Sequence, residues 1–303
     1  MVIAAFAAIY LIWGSTYLAI WFGLKSIPPF TLGAIRFVIA GILLLAWCRY
    51  RGERMNKESL IKNAFAGILM SGFGTGAVIW VEQYITSGLA AIIVASLPFW
   101  FVLFDYKNWS ENFQNKLVLA GVAIGFVGVM LLFNGKTTPS HLSTDISQMA
   151  AIAILLVGCI TWAAGSLYLK YSPATTSTTM NVGIQMLAPG IVCGIIAWMV
   201  GEWTTFRLAS VTMESWSAIV YLVVFGSLIA FVSYVWLLQV RPTVMVGTYA
   251  YVNPIVAVVL GWFLASERIG PIQILSLVII LTGVLLINFE RYAELYRTKP
   301  EAA

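Results

Sequence analysis

Long apolar runs recur along this 303-residue chain, at 2 to 24, 30 to 50, 61 to 83, 87 to 106, 116 to 134, 148 to 171, 176 to 200, 215 to 239, 243 to 266 and 272 to 290. Each is close to the ~20 residues with which an α-helix crosses the hydrocarbon core of a bilayer. Inside lipid no water satisfies backbone N–H and C=O groups, so segments of this length must close their own hydrogen bonds as helices. The fold class expected is therefore an all-α membrane protein with ten transmembrane helices. Charged residues make up only 10% of the chain, against about a quarter in an average soluble domain. The first run lacks a basic flank and a small-residue cleavage site, so it reads as a retained helix rather than a signal peptide.

The formal net charge of +5 would suit a nucleic-acid partner only if the basic residues formed a patch, and their placement instead follows the membrane. Arg49, Arg51, Arg54, Lys57 and Lys62 cluster between the second and third runs. With a cytoplasmic N-terminus, these join Lys107, Lys116, Lys170, Arg241, Arg291, Arg297 and Lys299 on the inner side. Only Lys25, Lys136, Arg207 and Arg268 fall outside. That asymmetry predicts that both termini are cytoplasmic. Cys48, Cys159 and Cys193 lie in or at the edge of apolar runs without paired spacing, which suits buried thiols better than a disulfide framework or a zinc site.

The chain also repeats itself. A shift of 149 positions places Trp13 on Trp162, Arg36 on Gln185 and Gly41 on Gly190; a shift of 156 places Trp80 on Trp236, Gln83 on Gln239 and Pro98 on Pro254. Two units follow, at 1–135 and 148–291, joined by a loop at 136–147 and ending in a tail at 292–303. Five helices per unit is an odd number, so the second unit must enter the membrane from the opposite side. Inverted repeats of this kind place a transporter's substrate site near the bilayer midplane, lined by broken helices.

WGSTYLAI at 13–20, SIPPFTLGAIRF at 26–37, TSGLAA at 86–91 and YVNPIVAVVLGWFLASERI at 251–269 together resemble the EamA family of the drug/metabolite transporter superfamily, over nearly the whole chain. The resemblance implies a ten-helix inner-membrane carrier, commonly an exporter of amino acids, related metabolites or drugs. The family often carries a Gly-Glu pair near the end of the fourth helix. Ser266-Glu267 approximates it at the ninth, whereas the fourth run ends in FDYKNWSENF.

Several residues stand out as candidates. Pro254 and Pro98 lack an amide hydrogen and should free the carbonyls of Ala250 and Val94. In lipid such groups are tolerated where protein, water or ligand satisfies them. Asn253, Tyr249, Tyr251 and Ser96 flank these prolines, and a cavity-lining hinge competes with a simple packing kink. Trp13 and Trp162 sit near the middles of their runs, away from the interfaces that tryptophan favours. They form either opposite walls of a pocket for an apolar or aromatic ligand, with Ser15, Thr16 and Tyr17 as polar handles, or tight packing with Ser15 bonded to a backbone carbonyl. Arg36 lies well inside a run, and burying its charge is costly. It either pairs with Glu82 at an outer gate, binds a carboxylate substrate or snorkels to the headgroups, with uncharged Gln185 as its repeat counterpart. Trp80 and Trp236 fit interfacial anchors or aromatic gate plugs. Glycines 121, 125, 190 and 194 have the spacing of closely approaching helices. GFGTG at 72–76 lacks the following Lys-Ser/Thr of a phosphate loop.

The leading expectation is a secondary transporter with a small amphipathic substrate in a lipid bilayer, no nucleic-acid partner, no cofactor, no metal, and a monomeric or homodimeric state. Proton coupling through Glu82, facilitated diffusion and exchange all remain open. An intramembrane enzyme would need helix-centre acids, bases or metal ligands, whereas Asp105, Asp145 and His141 lie outside helix centres. A channel or receptor is the third class.

Overall fold

The computed structural model describes residues 1–134, 146–241 and 243–297. Lys136, His141, Asp145 and Lys299 lie outside the described residues. Among those described, eight helices are long and apolar enough to cross a membrane: α1 (Val2–Leu24), α2 (Pro29–Tyr50), α3 (Lys57–Val81), α4 (Ser87–Phe104), α5 (Lys116–Phe133), α6 (Gln148–Tyr171), α7 (Thr178–Met199) and α8 (Met213–Val240). Two further helices follow, α9 (Tyr249–Ala265) and α10 (Pro271–Arg297), with shorter apolar stretches.

Local chemistry sets the helix starts. Asn56, Thr86, Ser147, Ser177 and Thr212 each accept a hydrogen bond from a backbone N–H in the first turn of α3, α4, α6, α7 and α8. These side chains satisfy donors that a helix N-terminus leaves unpaired. Pro28 and Pro29 open α2, where a missing N–H costs nothing.

The helices are irregular near the centre of the bundle. α-Helical geometry gives way to π-helical turns at Ala8–Ile12 in α1, Ile68–Thr75 in α3 and Leu222–Phe231 in α8. π-Helical stretches are frequent at functional sites. α4 is interrupted between Val94 and Leu97. Pro98 sits in the first turn after that interruption, so its missing N–H falls where no partner is required. Pro254 is placed differently: it lies inside the continuous helix α9, and the chain breaks earlier, between the short helix Thr243–Val246 and Tyr249. The two prolines therefore do not mark equivalent breaks.

α2 packs along α7 and α5 along α10, while α9 crosses α1 and α4. The α2–α7 crossing is reciprocal. A Cβ on Gly41 would lie 2.7 Å from the backbone nitrogen of Leu187, and one on Gly190 would lie 2.7 Å from that of Val38. Only glycine permits backbones this close.

Carboxylates tie one end of the bundle shut. Glu202, just beyond α7, accepts from the N–H groups of Phe30 (3.2 Å) and Thr31 (2.7 Å) and from the Thr31 hydroxyl (2.9 Å) at the start of α2. Glu267, just beyond α9, accepts from the N–H groups of Ser87 (2.9 Å) and Gly88 (3.0 Å) at the start of α4. A negative group belongs at a helix N-terminus, where the unpaired donors and the helix dipole converge. Lys25–Glu214 at 2.9 Å adds a surface ion pair at the same end. At the opposite end, which carries Arg49, Arg51 and Arg54, Glu53 follows α2 and accepts from the hydroxyl of Ser177, the N-cap of α7. Glu53 and Glu202 each follow a glycine with positive φ, Gly52 at 76° and Gly201 at 79°.

Candidate functional site

The centre of the bundle holds a small cavity walled by α1, α2, α3, α4, α6, α7, α8 and α9. Four rings, Trp13, Trp162, Phe231 and Tyr249, line it, and Tyr234 packs against all four. Trp13 is the hub, with ring centroids 5.5 Å from Trp162, 6.2 Å from Phe231, 5.0 Å from Tyr234 and 5.1 Å from Tyr249. Edge-to-face and tilted arrangements dominate, as the quadrupoles of aromatic rings favour. Both indole N–H groups and the Tyr234 hydroxyl are matched internally. Trp13 Nε1 donates to the carbonyl of Gly226 (3.2 Å), Trp162 Nε1 donates to the Tyr234 hydroxyl (3.2 Å), and that hydroxyl also meets Ser166 Oγ (2.8 Å).

The cavity measures about 80 Å³, room for two or three waters at ~30 Å³ each, whereas small-molecule pockets usually run from ~300 Å³ upward. A second, larger hollow of about 650 Å³ lies toward the basic end, lined by Asn63, Lys170, Asn181, Gln185, Gln239 and Arg241 among others. Along α6, Cys159 and Trp162 face the cavity, whereas Leu169 and Lys170 face the vestibule; along α8, Ser227 and Phe231 face the cavity, whereas Val235, Leu238 and Gln239 face the vestibule. The aromatic cluster is thus a partition between the two spaces.

Of the residues singled out by sequence as candidates, Trp13, Thr16, Tyr17, Arg36, Trp162, Tyr249 and Asn253 come together in the cavity wall. The others do not. Ser15 turns away from the cavity, donating to the carbonyl of Ile12 (2.7 Å) and meeting the Tyr221 hydroxyl (2.6 Å); Thr16 lines the wall instead. Ser96 is buried beside Trp100, whose Nε1 points to it at 3.4 Å. Tyr251 reaches the carbonyl of Val284 in α10. Pro98 and Pro254 are absent from the lining, which Val94, Leu97 and Asn253 provide in their place. Trp80 packs on Tyr84 at 5.0 Å and lines a separate groove, and Trp236 lies outside the cavity, so neither plugs it.

Asn253 also has a different occupation from the one its position suggested. With its amide nitrogen turned toward the acceptors around it, it donates to the carbonyls of Ile9 (3.2 Å), Tyr10 (2.9 Å) and Tyr249 (3.2 Å). It therefore staples α9 to the π-helical turn of α1 and has little donor capacity left for a ligand.

The expected Arg36–Glu82 pair does not form. No carboxylate oxygen lies within 4.0 Å of Arg36 among the described residues. Glu82 is fully buried with both oxygens unpartnered. Nor does Arg36 snorkel: it is 4% exposed, and its Nε donates to Ser227 Oγ at 3.1 Å. Gln185, its repeat counterpart, lines the vestibule and donates to Asn63 Oδ1 at 2.6 Å.

Sequence reading passed over Ser71, Ser227, Phe231 and Tyr234. The two serines were within reach, since Ser71 and Ser227 obey the same shift of 156 that relates Trp80 to Trp236. Tyr234 and Phe231 carried no such mark in an aromatic-rich run.

A bundle of apolar helices around an aromatic-walled hollow, with polar groups confined to its wall and ends, defines a multi-pass membrane protein with an internal cavity. The profile of the EamA-like transporter family matches residues 1–134 and 149–289, and the chain belongs to that family. It is a membrane transporter. The chain is 37% identical over 302 residues to the "Uncharacterized inner membrane transporter YedA" of Escherichia coli K12, covering 99% of this chain and 94% of that one. It is 23% identical over 289 residues to the "Uncharacterized transporter YoaV" of Bacillus subtilis, covering 93% and 94%. With the "Probable amino-acid metabolite efflux pump" of Escherichia coli K12 it shares 22% identity over 284 residues, 91% of each chain. One crystal structure matches with a TM-score of 0.66 over 96% of this chain and 98% of its own, at 17% identity, a likeness of fold alone.

Proposed function

We propose that this transporter exports small amphipathic metabolites, in chemical kind amino acids, related compounds or drugs, by alternating access about the central cavity. The observation that carries the reading is the aromatic partition: a hollow at the centre of the bundle, walled by Trp13, Trp162 and Tyr249 and separated by rings from a wider vestibule. Clustered rings suit an apolar or aromatic body rather than a sugar or an inorganic ion. The efflux-pump name of a relative at 22% identity supports the direction and the substrate class.

The architecture that goes with this function is ten transmembrane helices, α9 and α10 included, in two inverted five-helix units at 1–135 and 148–291. Three features support the inversion. The Gly41–Leu187 and Gly190–Val38 approaches exchange partners under a shift of 149. Gly52-Glu53 and Gly201-Glu202 obey the same shift and reach the starts of each other's partner helices. The π-helical stretches of α3 and α8 overlap under a shift of 156. In this arrangement the basic end faces the cytoplasm with both termini, the membrane is the inner one, and the Glu202 and Glu267 contacts close the outer side. Substrate enters through the vestibule, and the outer contacts release when the units rock. The transporter works as a monomer or homodimer.

The test is an efflux screen of metabolites from loaded proteoliposomes. Apolar and aromatic amino acids should leave faster than from protein-free vesicles, while sugars should not. Sugar efflux without amino-acid efflux would sink the assignment.

A further inference from the structure

Arg36 is the one charged residue in the cavity wall. Its guanidinium is only partly used. Nε bonds Ser227, the cation lies over the Phe37 ring at 5.2 Å from its centroid, and Nη1 is buried without a hydrogen-bond partner. Ser71, the repeat counterpart of Ser227, lines the same cavity and is fully buried with its hydroxyl likewise unpartnered. Buried polar groups are almost always bonded, and each exception asks for an explanation. Here two donors remain open in the wall of one space, and one of them is a permanent cation, because arginine does not deprotonate in proteins.

A second anchor fixes where this cation sits. A Cβ on Gly226 would lie 3.0 Å from Arg36 Nη2, and the Gly226 carbonyl is the acceptor of Trp13 Nε1. One residue of α8 thus sets the guanidinium against the aromatic wall. A ligand for which this cavity of about 80 Å³ widens meets a cation, a hydroxyl and aromatic rings in its wall.

From this geometry we infer that Arg36 and Ser71 form an anion subsite for the carboxylate of an aromatic or apolar acid, with the ring cluster holding its body. The assignment rests on the cavity being the transport site. A planar monoanion matches one guanidinium edge plus one hydroxyl. A phosphate ester, with more charge, would call for further cations, and the wall supplies none. Glu82, also buried, lies beyond ion-pair distance of Arg36 and leaves Nη1 without a hydrogen-bond partner.

The probes are hydrocinnamate and hydrocinnamyl alcohol, which share a phenylpropyl body and differ in the carboxylate. Each is titrated against the full-length protein in lipid nanodiscs, with tryptophan fluorescence as the readout and empty nanodiscs subtracted. For the wild type the acid should bind about tenfold or more tighter than the alcohol, the scale of a charge-assisted hydrogen bond. In Arg36→Gln that preference should fall to about one; continued binding of the alcohol reports a folded cavity. Arg36→Lys should keep part of the preference, and Ser71→Ala should weaken the acid by a few-fold. An undiminished preference in Arg36→Gln, with both compounds still bound, overturns the subsite and leaves the cavity reading standing. Failure of the wild type to bind either compound, with no transport of hydrocinnamate in counterflow, overturns the cavity reading and the subsite together.

Discussion

Trp13 of α1 and Trp162 of α6 meet edge to face, with ring centroids 5.5 Å apart and planes at 84°, although 149 residues separate them along the chain. The contact joins the two halves of the molecule at the cavity, and each indole N–H already has an acceptor in α8. These rings therefore offer faces and edges to a ligand rather than hydrogen bonds.

Replacing Trp13 should damage transport more than folding if the replacement keeps a ring. Truncating a buried tryptophan to alanine costs ~3–5 kcal/mol in a packed core, so Trp13→Ala confounds the two effects. Trp13→Phe retains ring contacts worth ~0.5–1.5 kcal/mol each and loses the bond to Gly226. We expect efflux to fall several-fold in Trp13→Phe and at least tenfold in Trp13→Ala, with the amount of Trp13→Phe in the membrane unchanged by fluorescence size-exclusion. Wild-type efflux from both would move the site elsewhere.

Asn253 should matter to stability first. Its amide serves three carbonyls on two helices, and a buried acceptor stripped of its donor costs ~1–3 kcal/mol. Asn253→Ala should therefore lower the melting temperature in detergent, and Asn253→Asp, which sets acceptor against acceptor, should lower it further. An aspartate variant as stable as the wild type would show that no donor is needed there.

Gly41 and Gly190 predict a matched pair of effects. An added methyl at either position meets a backbone nitrogen at 2.7 Å, and overpacking of this sort costs ~1–3 kcal/mol. Gly41→Ala and Gly190→Ala should lower the melting temperature by similar amounts, whereas Gly194→Ala, whose nearest neighbour is Ala34 Cβ at 3.8 Å, should change little. Tolerance at both close positions would contradict the reciprocal crossing.

Hydrophobicity placed most helix bounds within a few residues: the run at 148 to 171 coincides with α6, and that at 30 to 50 starts one residue after α2. The reason is physical, since span length is dictated by the bilayer and written in every residue. Trp13 and Trp162 stood out because rare residues recur at a fixed shift, but as opposite walls of a pocket; that their rings touch was not legible. The mirrored Gly-Glu pairs obeyed the same shift, but charged residues at helix ends are common enough to escape notice. The π-helical turns left no mark in hydrophobicity, and they set which wall residues face inward, so Phe231 could not be picked from its run. Proline misled: Pro254 announced a break, yet the chain opens upstream of Tyr249, where Tyr10 of α1 bonds Thr248. The fate of Arg36 likewise depended on a tertiary partner, Ser227, 191 residues away.

The central claim, one cavity reached alternately from two sides, can be tested at Cys159, which lines the cavity and is 3% exposed. With Cys48 and Cys193 replaced by serine, the rate at which a membrane-impermeant thiol reagent alkylates Cys159 is measured from each face of oriented vesicles. In the otherwise native protein, reaction should come mainly from the basic face. Glu202→Ala, which removes the contacts to Phe30 and Thr31, should raise the rate from the opposite face about tenfold, and a compound that passes the efflux screen should protect Cys159 from both. Equal access from both faces, indifferent to Glu202 and to the compound, would contradict alternating access and indicate a pore.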